Sequence, residues 1–205
     1  MLHLLAATRQ PFTSADARAL GMEPSVLTRL VRADSIRRIG HGAFVVADLW
    51  ANATPEERHL LVSRSVTRRY RAVALSHVSA VIAHRLPIHG VDLELVHLTR
   101  MSGTARCGRA GRHPPVQVHP LLVPEAYTTI DELAVCSEAV AVLQVADWHG
   151  VEAGLVAAEQ RCTVDPSLQR ISIGRARSRD SVADDAMQTW CCALRAPRAS
   201  HRVRR

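Results

Sequence analysis

The chain has 205 residues, of which 47% are hydrophobic but only 3% aromatic, and its net charge of +7 is carried by arginine alone because no lysine occurs. That length allows one large or two small units around an aliphatic core of real size. The absence of lysine excludes chemistry that needs its amine: a P-loop, a Schiff base, or the lysine of a restriction-type nuclease core.

Residues 1–10 read as a first helix, with Leu2, Leu5 and Leu4 packing on a helix-turn-helix. That motif, with a two-stranded wing, spans Phe12 to Val46. Thr13 or Ser14 caps the first of its helices, Asp16 sits in the first turn, and Gly21 ends it. Pro24 opens the second helix, where its missing N–H costs nothing. Val26, Leu27, Leu30 and Val31 fall on one face of that helix at helical spacing. Ser25, Thr28, Arg29 and Arg32 fall on the other face. This division suits a recognition helix, with one side packed on the protein and the other offering donors to phosphates and base edges. Ile36 to Val46 form a hairpin, with Arg37 and Arg38 in its first strand and His41 at the tip of a Gly40-His41-Gly42 turn. Adjacent strand residues point to opposite faces. Ile36 is therefore expected to share a face with Arg38, and Ile39 with Arg37.

DLWANA, residues 48–53, reads as a link. Thr54 caps the next helix, with Pro55 at its first position and Glu56 and Glu57 in its first turn. Arg64, Arg68 and Arg71 make a basic stripe along this helix that suits DNA and solvent equally. Ser76 reads as the cap of a short apolar helix that stops before Pro87, and LELVHLT as a strand. His77, His84, His89 and His97 fall here, with Asp92 and Glu94 nearby. Their spacing fits neither H-E-x-x-H nor a Cys/His ligand pair. Structural histidines, no metal and no cofactor are the expectation. A metal-dependent hydrolase built on those four histidines is the competing enzyme reading. It ranks last, because no nucleophile is paired with a base. Residues 101–115 read as a Gly- and Arg-rich loop, and VQVHPLLV as a strand. TTIDELAVCSEAVAVLQVADWHGVEAGLVAAEQ reads as one or two helices broken near His149–Gly150. Residues 163–205 read as an irregular basic tail, disordered or truncated.

The charge is segregated along the chain. Residues 1–113 hold sixteen Arg against eight acids, residues 114–160 hold no Arg and seven acids, and residues 161–205 hold ten Arg against four acids. Contact with a polyanion is thus expected in the first part. The five cysteines, Cys107, Cys136, Cys162, Cys191 and Cys192, form neither a disulfide framework nor a C-x-x-C zinc ribbon. The opening MLHLLAATRQPF lacks the charged lead and long apolar core of a signal peptide. No stretch approaches a membrane span. A cytoplasmic protein is the expectation.

Several features occur in a telling order: the Thr-x-x-x-Ala-x-x-x-Gly helix, the Pro-started second helix, the Arg-Arg-x-Gly-x-Gly wing, LSHVSAVIAHRLPI, and a strand ending HLTR. Over roughly residues 2–160 this order resembles the AbiEi-type antitoxin family of actinobacteria, with LSHVSAVIAHRLPIHGVDLELVHLT its most specific part. Members of that family form the antitoxin half of type IV toxin–antitoxin systems. The resemblance implies a winged helix that binds the operon's own operator DNA through Ser25, Thr28, Arg29 and Arg32, and through Arg37, Arg38 and His41 of the wing. It also implies a nearby nucleotidyltransferase-like toxin, not held in a tight complex, and a regulator rather than an enzyme, with no catalytic residue. The chain departs from the family where SEAVAVLQVADWHG lacks the usual Arg-Thr. A non-functional remnant is the other alternative. The expected fold class is α+β: a winged helix-turn-helix over residues 1–50, a mixed α/β antitoxin-like region over 51–162, and the tail over 163–205.

Overall fold

The computed structural model describes residues 2–102, 108–110, 114–120, 122 and 126–164. The tail from residue 165 on, most of the basic stretch, lies outside them, as do residues 103–107 and 111–113 of the Gly/Arg-rich loop. The protein is α+β and begins with a winged helix-turn-helix. In chain order its first elements are α1 (Leu2–Ala7), β1 (Phe12–Thr13), α2 (Ser14–Ala19), α3 (Pro24–Arg32), β2 (Ile36–Gly40) and β3 (Ala43–Val46). Thr13 and Asp16 close a capping box on α2: the Asp16 amide donates to Thr13 Oγ1, and the Thr13 amide donates to Asp16 Oδ2. Gly21, with φ +77°, takes the left-handed turn that releases the chain from α2.

The three strands form a sheet of order β1-β3-β2, antiparallel throughout. One face buries Ile36 and Phe44 with Phe12, Leu5, Ala17, Met22 and Leu27, and the Phe12 and Phe44 rings stack 5.8 Å apart. Leu4, expected to pack here, is instead 51% exposed, because its neighbour Leu5 takes the inward position and the next residue on the helix turns away from it. The other face buries Ile39, Ala43 and Val45 against Leu61, with Leu49 and Trp50 alongside. Leu61 lies on α5 (Pro55–Thr67), which Thr54 and Glu57 cap in a second capping box. The expected link at DLWANA is instead a helical turn, α4 (Ala47–Asn52). It presents Trp50 to the guanidinium groups of Arg37, at 5.3 Å, and Arg58, at 5.7 Å.

The second half of the protein is built on a mixed six-stranded sheet of order β6-β7-β5-β4-β9-β8. Its strands are β4 (Val73–Leu75), β5 (Val96–Arg100), β6 (Gly108–Ala110), β7 (Val116–His119), β8 (Tyr127–Ile130) and β9 (Leu133–Cys136). Its helices are α6 (His77–Ala83), α7 (Glu138–His149) and α8 (Val151–Val164). Val78 and Val81 of α6 and Val142 and Val145 of α7 fill the core with Leu75, Val96, Leu98 and Val135. Every residue of α6 is buried, as expected for an apolar helix held between sheet and helices. The segment TTIDELAVC, expected to be helical, is a hairpin. Asp131 (φ +46°) and Glu132 (φ +66°) form its two-residue turn, and both lie in the left-handed region a tight antiparallel turn demands. Helix begins only at Glu138 and breaks at Gly150, where the sequence places the break. Part of the expected loop 101–115 is also ordered, since β6 pairs antiparallel with β7.

Candidate nucleic-acid interface

Helix α3 divides largely as its sequence spacing requires. Leu27 is buried, Leu30 packs partly beside it, and Ser25, Thr28, Arg29 and Arg32 are exposed. Thr28 Oγ1 donates to the Pro24 carbonyl one turn back, so its hydroxyl is partly engaged within the helix. Val31, expected in the apolar face, is 38% exposed. It lies one position past Leu30, where the helix surface turns away from the sheet, and it lines the groove between α3 and the wing.

That groove gathers the cationic side chains. Arg18 of α2, Thr28 and Arg32 of α3, and Arg38 of β2 line it, over a floor that includes Met22, Leu27 and Phe44. Arg38 lies with its guanidinium 5.6 Å from the Phe44 ring, on the same face of the sheet as Ile36. Arg37 lies on the opposite face, over Trp50, with Ile39. The alternation expected along β2 therefore holds, and it separates the two adjacent arginines. The register slips between Arg38 and Gly40, and His41 stands exposed at the hairpin tip. The tip is tethered, since the Ser14 amide donates to the Gly42 carbonyl. A Cβ added at Gly40 would stand 3.3 Å from Pro114 Cδ, so glycine is what lets the hairpin approach the second sheet so closely. Sequence spacing does not point to Arg18, because it lies on α2 and only the tertiary turn between α2 and α3 brings it to the groove.

The basic stripe on α5 has a different task. Arg64 Nη2 lies 2.9 Å from Asp131 Oδ2 and its Nη1 donates to Gln10 Oε1, with the side chain only 13% exposed. Arg68 Nη1 lies 2.8 Å from Asp16 Oδ2. These two arginines tie α5 to the winged helix on one side and to the β8–β9 turn on the other. Only Arg71 of the three is exposed without such a tie among the described residues.

The histidines regroup as well. His84 Nε2 donates to the Cys136 carbonyl, which is a packing role, and His89 is exposed. His77 and His97 come together not with these but with His119. Nearby, His59 Nδ1 donates to the Leu93 carbonyl, which leaves Nε2 to accept from Ser79 Oγ. Ser79 Oγ in turn accepts from the His97 amide.

Among the described residues no helix is long and apolar enough to cross a membrane. A search of the curated proteins finds no match to the chain. Residues 1–47 match the family model described as "Transcriptional regulator, AbiEi antitoxin", and the match ends just past the last strand of the winged helix. Over those residues the chain is similar to the AbiEi antitoxin family of transcriptional regulators.

Proposed function

We propose that this protein is the DNA-binding antitoxin and autoregulator of a type IV toxin–antitoxin operon. In this reading α3 enters the major groove of the operator, and Ser25, Thr28, Arg29 and Arg32 face the DNA. The wing lies on the backbone, with Arg38 and His41 nearest to it. Residues 1–50 read DNA, residues 51–162 carry the antitoxin region, and a nucleotidyltransferase-like toxin encoded nearby is the partner it opposes without a lasting complex. The observation that carries the reading is the groove of Arg18, Thr28, Arg32 and Arg38, all on one side of the domain that matches the family. Cations converging beside a recognition helix supply phosphate affinity and leave the helix to read bases.

The test is a gel-shift titration of the full chain on the DNA upstream of its own gene, beside a random duplex of equal length. Specific binding at least about a thousandfold tighter than random is the expected outcome. Equal affinity for both duplexes would remove the regulator reading. Co-expression with the neighbouring nucleotidyltransferase-like gene, scored by growth, tests the antitoxin half separately.

A further inference from the structure

Three buried histidines from three separate elements meet in the second half of the protein. His77 is the first residue of α6, His97 lies in β5, and His119 ends β7. β5 and β7 run parallel, with His97 opposite Gln117 and Thr99 opposite His119, so the two histidines lie diagonally on one face of the sheet. His77 comes just after β4 and reaches the same place from the helix. The three are 5%, 0% and 8% exposed. One ring nitrogen from each lies within 4.8 Å of the other two. His97 Nδ1 and His119 Nε2 are 3.0 Å apart.

We propose that His77, His97 and His119 form a binding site for a divalent transition-metal ion of the zinc type. Imidazole nitrogens suit zinc, copper and nickel, and three such donors with a vacant fourth position form a standard zinc set. Tetrahedral ligands about 2.0–2.1 Å from zinc stand about 3.3 Å from one another. The His97–His119 pair, at 3.0 Å, is already near that spacing, and the third nitrogen, within 4.8 Å of both, closes the set by a shift of at most about 1.5 Å.

Simple packing accounts poorly for the cluster. His97 Nε2 is fully buried with no hydrogen-bond partner among the described residues, a deficit an apolar side chain would not incur. His77 holds φ +48°, a left-handed backbone that is strained for a non-glycine residue and fixes where its ring points. Ser76 Oγ, 3.2 Å from His77 Nδ1, orients that ring as outer-shell partners orient metal-bound histidines. Trp148 meets all three rings edge-on at 5.2–5.7 Å and shields one side. His149 borders the group, its ring 6.1 Å from His97 and its Nε2 also buried and unpartnered. Spacing along the sequence could not reveal the site, because its ligands lie 20 and 22 residues apart on different elements.

The test uses the full-length, untagged chain, stripped with chelator and titrated with zinc chloride or cobalt chloride. The expected result is one ion per chain by elemental analysis. The cobalt form should show tetrahedral visible absorption without a thiolate charge-transfer band, and the melting temperature should rise with free zinc. His119→Ala should weaken cobalt binding by about tenfold or more. A variant with Cys107, Cys162, Cys191 and Cys192 all changed to Ser should bind as the parent does. Should His119→Ala fail to fold, the cobalt spectrum of the parent chain decides alone. Less than stoichiometric uptake of both metals overturns the proposal. So does a thiolate band, or loss of binding in a folded cysteine variant.

Discussion

Arg68 Nη1 lies 2.8 Å from Asp16 Oδ2, the same carboxylate oxygen that accepts the Thr13 amide in the capping box of α2. One side chain therefore caps a helix of the winged helix-turn-helix and anchors it to α5. Burial raises the Asp16 carboxyl, but the Thr13 backbone and hydroxyl and the Arg68 guanidinium outweigh it and hold the group below its ordinary value. A depressed carboxylate stabilises the fold above its unfolded pKa, about 3.9, and this stability is lost as pH falls through the folded value. Asp16→Ala is expected to cost about 1 kcal/mol at pH 7. In urea denaturation the gap between parent and Asp16→Asn should narrow as pH drops below about 4. A gap that stays constant down to about pH 2 would contradict the assignment.

The α5 arginines should act on stability and not on DNA. Arg64→Ala removes bonds to Gln10 and Asp131 from a mostly buried side chain and should cost about 1–2 kcal/mol. Arg68→Ala breaks a pair exposed on both sides and should cost less than about 1 kcal/mol. Neither should alter the dependence of DNA affinity on salt, and a salt slope reduced by about one unit in either variant would place α5 on the backbone after all.

The two wing arginines should separate cleanly. Arg38 faces the groove beside α3, whereas Arg37 lies over Trp50 on the far face. Arg38→Ala should weaken operator and random DNA alike and lower the salt slope by about one. Arg37→Ala should leave the slope unchanged and lower stability modestly. The reverse pattern in salt titrations would move the DNA to the other side of the hairpin.

On α3, Arg29→Ala should weaken operator binding by about 1–3 kcal/mol and relax the preference at one base position. Val31 is exposed on the groove wall, and in the proposed complex it would meet a thymine methyl. Val31→Ser should therefore change sequence preference more than overall affinity. Selection from a randomised duplex library reads both effects, and unchanged preferences in both variants would take α3 out of base readout.

Cys136 offers a check on the core. Burial pushes its thiol up to about 12, against a smaller opposing bond from Gln144. It should stay unmodified by iodoacetamide in the native protein at about pH 8 and react once the chain is unfolded, as peptide mass mapping would show. Rapid native labelling would mean that the β9–α7 junction opens.

The parts read correctly from the sequence are those whose signals are local. Thr13 with Asp16 and Thr54 with Glu57 are capping boxes whose partners lie three residues apart, and Pro24 and Gly21 bound their helices by backbone chemistry alone. The alternation of Ile36, Arg37, Arg38 and Ile39 is likewise a property of any strand. The larger misreadings fall where the local sequence carries no signal of what the chain meets. Asp131–Glu132 makes a tight turn without glycine or asparagine, so the hairpin it joins carries no turn signature, and its apolar residues pass for helix. The stripe of Arg64, Arg68 and Arg71 has the same spacing whether it meets phosphate, water or carboxylates. Its partners Asp131 and Asp16 lie 67 and 52 residues away. His119 carries no local signal because only the register of β5 on β7 brings it to His97.

Helix α5 has a consequence for how such proteins can be cut and recombined. It places Leu61 over Ile39, Ala43 and Val45, the face of the three-stranded sheet that α1 to α3 do not cover. A fragment ended at residue 47, where the family match stops, would carry that apolar face bare into water. The shortest winged-helix fragment that keeps both faces of its sheet dry runs to the end of α5. A joint near residues 68–72, between α5 and β4, keeps that layer whole but parts Val66 of α5, with Leu60 and Val62 beside it, from the core of the six-stranded sheet.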